Sequence, residues 1–237
     1  MPEVSIIMPT YNRPEMLKRA LSSIKAQTFK DYEVILVNDG ELPINRAIGE
    51  SGMLKNVFVA GNSYNLGQSK SLNVGLTAAS GKYIAYLDDD DIYFANHLEM
   101  LHTVLDAKGY DFAHTSCLRT TINPSTGIIK DRMVLPTSDF TREMLLTRNY
   151  IHIASVMHRR DCLDKSGIFD ESLRWMKDWD LFVRLSRYFN FHHINKITCE
   201  AFFRTDKSNM TFQFWDERIE LSKQLRKKYE KLYGGSI

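Results

Sequence analysis

The chain has 237 residues, 43% of them hydrophobic and 25% charged, the balance of an ordinary globular protein with ample length to bury a core. A formal net charge of +2 gives no electrostatic footprint for nucleic acid or for a strongly acidic partner. Cys117, Cys162 and Cys199 are odd in number and widely spaced, which fits neither a disulfide framework nor a zinc pattern. Met1-Pro2-Glu3-Val4-Ser5 carries no basic leader, and no apolar run reaches the roughly 20 residues that span a bilayer, so the expectation is a cytoplasmic protein.

Strand and helix signals alternate through the first hundred residues. Val4 to Met8 reads as a short buried strand. Pro14 suits the first turn of a helix whose Leu17, Ala20, Leu21 and Ile24 share one face. Glu33 to Val37 forms a second strand, halted by Asn38-Asp39-Gly40, and Val57 to Val59 a third. A helix over 69–79 turns Leu72, Leu76 and Ala79 inward, and Tyr83 to Leu87 is the fourth strand. Repeated β-α-β units of this length predict an α/β fold, with a mostly parallel central sheet flanked by helices. Ligands in such sheets sit beyond the carboxyl ends of the strands. Thr10, Asp39 and Asp88 to Asp91 all follow strands, which should bring them to one crevice.

The second half is less regular. A helix with Leu98, Leu101 and Leu105 inward precedes a strand from Asp111 to Cys117, a turn over Asn123 to Gly127, and an irregular connection from Met133 to Ser138. Leu181, Phe182, Leu185 and Phe189 recur at helical spacing, so Lys177-Asp178-Trp179-Asp180 opens a helix. The chain ends in a helix with Leu221, Leu225, Tyr229 and Leu232 on one face and Lys223, Arg226, Lys227, Lys228 and Lys231 on the others. Such a helix can pack on its own domain, pair with a second subunit, or lie on an anionic membrane surface. No linker-like composition interrupts the sequence, so one domain over 1–237 is expected.

The run Asp88-Asp89-Asp90-Asp91 behind a buried strand is the strongest chemical signal. Adjacent carboxylates repel, and four together are costly unless water or a cation absorbs the charge. Hard oxygen ligands of this kind suit Mg²⁺, Mn²⁺ or Ca²⁺, and the first two commonly bring a substrate phosphate. Taken alone, the run also reads as a solvated acidic turn.

Five landmarks in order over about residues 3 to 205 sharpen this. They are Met8-Pro9-Thr10-Tyr11-Asn12-Arg13-Pro14; Gln27-Thr28-Phe29 with Glu33 to Gly40; Asn65-Leu66-Gly67 with Ser71 to Gly75; Ser80 to Asp91; and Phe169 to Leu173 with Asp178-Trp179-Asp180-Leu181. Together they resemble the family 2 glycosyltransferases of GT-A fold. The resemblance implies a nucleotide-binding half (1–108), an acceptor-binding half (109–210) and a C-terminal helix (211–237). It also implies inverting transfer of a sugar from a nucleotide-diphosphate donor, a UDP-sugar by preference, to a hydroxyl of a glycan or lipid-linked acceptor, with Mn²⁺ or Mg²⁺.

Residue by residue, the resemblance makes Asp90 the metal ligand, with Asp88 and Asp89 positioning ribose, sugar or metal and Asp91 a structural neighbour. Tyr11 would stack on the base, Asp39 accept from a uracil imide N–H, Thr10 contribute through its backbone, and Lys70 reach base or phosphate. Asp178 would be the general base. Lys177 stands where relatives carry Glu, and it would lower the Asp178 pKa if its ammonium lay close. Asp180, four residues before Arg184, is expected in an ion pair instead. Relatives carry a histidine soon after the arginine matched by Arg204; here it is missing, which leaves Arg204 or Lys207 for the diphosphate. His152, Trp175 and Met176 fall on the acceptor side. His192-His193 faces opposite ways on an extended segment and is expected to serve packing and solvent.

Two other classes compete. A sugar nucleotidyltransferase would show a Gly-rich basic loop after the first strand, which Pro9-Thr10-Tyr11-Asn12 lacks. A catalytically inactive nucleotide- or glycan-binding module has no need of both the acidic run and Asp178. The helix at the C-terminus leaves self-association or contact with the inner face of a membrane open.

Overall fold

Burial on both sides explains the unbroken run of β1 (Val4–Thr10), every residue of which is buried. The computed structural model describes residues 1–53, 55–61, 65–135, 139–206 and 215–233. β1 pairs in parallel with β2 (Tyr32–Asn38) and β4 (Tyr83–Tyr86), and β2 with β3 (Val57–Gly61). This is the parallel sheet the sequence predicts.

Beyond β4 the directions mix. The remaining strands are β5 (Ile92–Tyr93), β6 (Phe112–Ile122), β7 (Ile129–Leu135), β8 (Val156–Arg159) and β9 (Phe191–Arg204). They complete the order β3-β2-β1-β4-β8-β6-β9-β5, with β7 beside β6. β8 is antiparallel to both β4 and β6, whereas β9 runs parallel to β6. Of Met133 to Ser138, expected to be irregular, Met133 to Leu135 instead end β7, an outer strand whose residues are exposed or half-buried and so show no inward apolar alternation; 136–138 lie outside the described residues.

Helices cover both faces. α1 (Pro14–Lys25), α2 (Asn45–Ser51) and α4 (His97–Lys108) share one core with Val4, Ile6 and Met8 of β1. α3 (Gln68–Ala78), α5 (Arg142–Thr147), α7 (Lys177–Ser186) and α8 (Trp215–Tyr233) share the other with Ile7, as the alternation of a strand requires; a short α6 (Leu163–Ser166) precedes α7. A Cβ on Gly75 would meet Ile7 Cγ2 at 2.5 Å, so only glycine lets α3 lie this close on β1. Leu225 and Tyr229 of α8 are buried in the second core with Leu221 partly buried beside them, while Leu232 is 57% exposed. The helix packs on its own domain through three of the four apolar positions in its expected stripe. Among the described residues no helix is long and apolar enough to cross a membrane.

Candidate active site

The carboxyl ends of β1, β2 and β4 open into one cleft of roughly 1250 Å³. Thr10 Oγ1 donates to Asp89 Oδ2 at 2.8 Å, and the Tyr11 N–H lies 3.4 Å from the same oxygen, tying the acidic run back to β1. Asp39, only 5% exposed, accepts from the backbone N–H groups of Leu66 (2.8 Å) and Gly67 (2.9 Å). These two bonds fix the loop that enters α3 through Gly67, whose φ of 84° is the left-handed conformation glycine supplies. Tyr11 lines the cleft with 48% of its surface exposed, as a stacking platform needs.

The acidic run divides its roles. Asp88, Asp90 and Asp91 each offer an oxygen within 4.8 Å of the others. Asp91 is 4% exposed, accepts from the Phe202 N–H at 3.1 Å, and lies 3.7 Å from His152 Nε2. Asp90 pairs with Arg13 at 3.1 Å and Arg204 at 2.9 Å, and Arg13 also reaches Asp89 at 3.3 Å. Burial, reinforced by the neighbouring Asp90 charge, pushes the Asp89 carboxyl up to about 6 and raises Asp88 and Asp91 as well. Three clustered hard oxygen donors, with more negative charge than two guanidiniums balance, fit a divalent cation.

The opposite wall is built around the start of α7. Met176, the residue before it, has φ 56°, a strained value for a non-glycine residue that turns the chain at the cleft edge. Lys177 Nζ donates to Gln68 Oε1 at 2.8 Å, and Gln68 Nε2 donates to Asp88 Oδ1 at 2.7 Å. A continuous polar chain thus crosses from α7 to the acidic run. Asp178 lines the cleft and accepts from Asn149 Nδ2 at 2.8 Å. The Lys177 ammonium is committed to Gln68, so its hydrogen bond does not go to Asp178. Asp180 is buried and bonded to Arg184 at 2.7 Å, to Lys228 at 3.1 Å and to Tyr229, in the ion pair expected of it.

Thr10, Tyr11, Asp39, Asp88, Asp89, Asp90 and Asp178 therefore line one cleft, as do His152, Trp175 and Met176. Lys70 does not: it is exposed on α3 and outside the lining, because its neighbours Ser69, Ser71, Leu72 and Asn73 take the buried face. Arg204, 5% exposed, meets Asp90 without lining the cleft itself. Lys207 lies outside the described residues. His192 stacks on Tyr110 and His193 on His114, ring centroids 4.4 and 4.8 Å apart, which is the packing role expected of them. Sequence reading gave no role to Arg13, Gln68 or Asn149. Arg13 stood inside a quoted motif; the other two bridge segments far apart in sequence and leave no local signal.

A family model described as Glycosyl transferase family 2 matches residues 5–219. An uncharacterized glycosyltransferase of Rickettsia prowazekii is 30% identical over 192 residues, covering 78% of this chain and 59% of the relative. One from Haemophilus influenzae is 30% identical over 198 residues, covering 78% and 61%. The chain spans about three-fifths of the length of these relatives. Among solved structures, S. aureus TarS 1-349 in complex with UDP-GlcNAc superposes with a TM-score of 0.69 at 22% identity, covering 85% of this chain and 59% of that one. The mannosyltransferase PcManGT from Pyrobaculum calidifontis, in complex with GDP-Man and Mn2+, gives 0.68 at 15% identity, covering 95% and 63%. These structural likenesses establish the fold.

Proposed function

The chain belongs to glycosyl transferase family 2, and from that premise we propose that it transfers a sugar from a nucleoside diphosphate to an acceptor hydroxyl with inversion at the anomeric carbon. The observation that carries this reading is the convergence of Asp88 to Asp91 and Asp178 on one cleft, where Gln68 bridges Asp88 to Lys177, the residue before Asp178. Asp178 takes the acceptor proton as the acceptor oxygen attacks the anomeric carbon. The bond from that carbon to the diphosphate breaks on the opposite side, and its electron pair leaves with the diphosphate oxygen. Asn149 orients the Asp178 carboxylate by donating to its Oδ2 at 2.8 Å.

On the donor side Tyr11 stacks on the base and Asp39 accepts from its ring N–H, while keeping its two bonds to the 66–67 backbone. Uracil carries that N–H, and guanine carries one too, so UDP-sugars come first and GDP-sugars second. The UDP-GlcNAc held by TarS and the GDP-Man held by PcManGT make both donor classes reasonable for the fold. Mn²⁺ or Mg²⁺ held by Asp90 with Asp88 and Asp91 would offset the negative charge that develops on the departing diphosphate. Arg13 and Arg204 keep Asp90 in place beside it. The three described cysteines are free and buried, which supports a reducing cytoplasm as the setting. A panel of UDP- and GDP-sugars, scored for nucleotide release with Mn²⁺ and a mixed glycan acceptor pool, tests the proposal. Nucleotide release, with NMR showing an inverted product, is the expected result; retention of configuration would overturn the direct displacement.

A further inference from the structure

Resting on that reading, the acceptor side of the cleft carries a charge the transfer chemistry does not use. Four arginines line it from three separate segments: Arg148 just after α5, Arg174 before α7, and Arg218 and Arg226 on α8. Arg218, Ser222 and Arg226 stand at intervals of four on one helix face, and all three line the cleft. The lysines of the same helix go elsewhere. Lys223 pairs with Glu220 at 3.6 Å, Lys228 with Asp180 at 3.1 Å, and Lys227 and Lys231 are exposed outside the cleft lining.

The guanidiniums are partly preorganised. Trp175, 5% exposed, has Arg174 at 4.9 Å and Arg218 at 6.0 Å from its ring centroid. Arg218 is half-buried beside Asp178, while among the described residues no acid pairs with Arg148 or Arg226. Carboxylates on this side are few: Glu171 accepts from Asn73 at 3.0 Å and Asp178 from Asn149. Guanidinium forks match the oxygens of phosphate in pairs, and four of them outnumber these two carboxylates.

We propose that the acceptor is phosphorylated: a phosphate ester lies close to the hydroxyl that receives the sugar, gripped by Arg218 and Arg226 with Arg148 and Arg174. The arginines then act in acceptor choice, and the proton transfer stays with Asp178. The phosphate can belong to a soluble ester or to a lipid headgroup, and the two are separable by experiment.

Calorimetry on the full chain, with UDP and Mn²⁺ saturating so that the donor site is filled, should detect saturable binding of glycerol 3-phosphate and none of glycerol. Arg218→Gln/Arg226→Gln should weaken that binding about tenfold or more. The same variant should hold UDP affinity within about twofold, because distant sites behave independently. Lys227→Gln/Lys231→Gln, on the same helix outside the cleft, should change neither. In a parallel arm, sedimentation with phosphatidic acid vesicles that phosphatidylcholine vesicles do not reproduce, lost in the arginine variant alone, assigns the phosphate to a lipid. The inference is overturned if neither the ester nor the vesicles bind, or if both double variants lose binding equally. It is also overturned if UDP affinity falls together with ester binding, which would assign the arginines to the donor diphosphate. Absence of UDP binding by the unmodified chain would instead count against the proposed function. The glycerol 3-phosphate titration, repeated without nucleotide, would still decide the present inference.

Discussion

Tyr229→Phe isolates the joint that holds the C-terminal helix, and with it Arg218 and Arg226, against the cleft. Asp180 is 0% exposed, and its carboxylate is shared by Arg184 from within α7 and by Lys228 and Tyr229 from α8. Deleting the phenol hydroxyl keeps the ring in its pocket beside Trp179, 6.1 Å between centroids, and removes one donor from a buried charge. A hydrogen bond to a charged group is worth about 1.5–3 kcal/mol. At about 2–4 °C per kcal/mol for a chain of this size, the melting temperature should fall by roughly 3–12 °C. Asp180→Ala should cost more, about 3–5 kcal/mol, since it strands Arg184 and Tyr229 without their buried partner. Scanning calorimetry gives the first number. Limited trypsin digestion supplies a second readout, because α8 carries basic residues from Arg218 to Lys231 that a loosened helix would expose. A melting temperature within about 1 °C of the unmodified protein, with unchanged digestion, would refute the idea that the Asp180 carboxylate anchors α8.

The other expectations concern chemistry and pH. Asp178→Asn should cut transfer by about 10²–10⁴-fold with UDP affinity unchanged in calorimetry, whereas Asp90→Asn should weaken both; loss of turnover in Asp180→Asn but not in Asp178→Asn would mean the wrong carboxylate was assigned. Chelation should lower UDP affinity by about tenfold or more, since a diphosphate would otherwise meet carboxylates of its own sign; equal affinity with and without chelator would sink the cation assignment. Burial pushes the His158 imidazole down to about 4, from about 6.5 in an unfolded chain. Above pH 6.5 both states are neutral there; as pH falls the unfolded chain takes the proton first, so this group's contribution is lost on acidification. Urea titrations at pH 7.5 and 5.5 should therefore show about 1.3 kcal/mol less pH-dependent loss in His158→Gln than in the unmodified chain, and an identical loss in both would contradict it.

What could be read from the residues follows from where the information is stored. The strands β1, β2 and β4 are buried on both faces, so their apolar runs announce themselves, and α1 shows its core face in Leu17, Ala20, Leu21 and Ile24 as predicted. β8 has four residues, and β9 is interrupted by His192, Asn195 and Lys196; neither carries a recognisable run, because neighbouring strands rather than local pattern decide their pairing. That the acidic run, Tyr11, Asp39 and Asp178 share one cleft was legible because all but Asp178 follow strand ends of the parallel sheet and Asp178 opens a helix. Lys70, by contrast, is exposed and outside the cleft lining. Its position after Gly67 suggested a phosphate reach, but the helix phase set by Leu72 and Leu76 turns it to solvent. That Arg218 and Arg226 line the cleft could not be found without the docking of α8, to which the bond between Tyr229 and Asp180, 49 residues apart, contributes.

The polar chain from Lys177 through Gln68 to Asp88 gives the two halves of the cleft a common frame. Gln68 is the first residue of α3 and Lys177 the first of α7, and their side chains meet at 2.8 Å. The first residues of two helices are therefore joined by one side-chain hydrogen bond, and a helix N-terminus carries roughly half a positive charge. The proposed donor diphosphate, if it lay near these helix ends, would meet this field before any side chain moved. The acidic run on its own would repel such a ligand. For the proposed donor, the sum would offset that repulsion: two helix ends, Arg13 and Arg204 against Asp90, and three hard oxygens suited to a divalent cation. Lys177, where the resemblance leads one to expect an acid, extends that sum. An acid at this position would set another negative charge against Asp88, whereas the ammonium draws Gln68 into line and leaves Asp178, the carboxylate proposed as the base, lining the cleft.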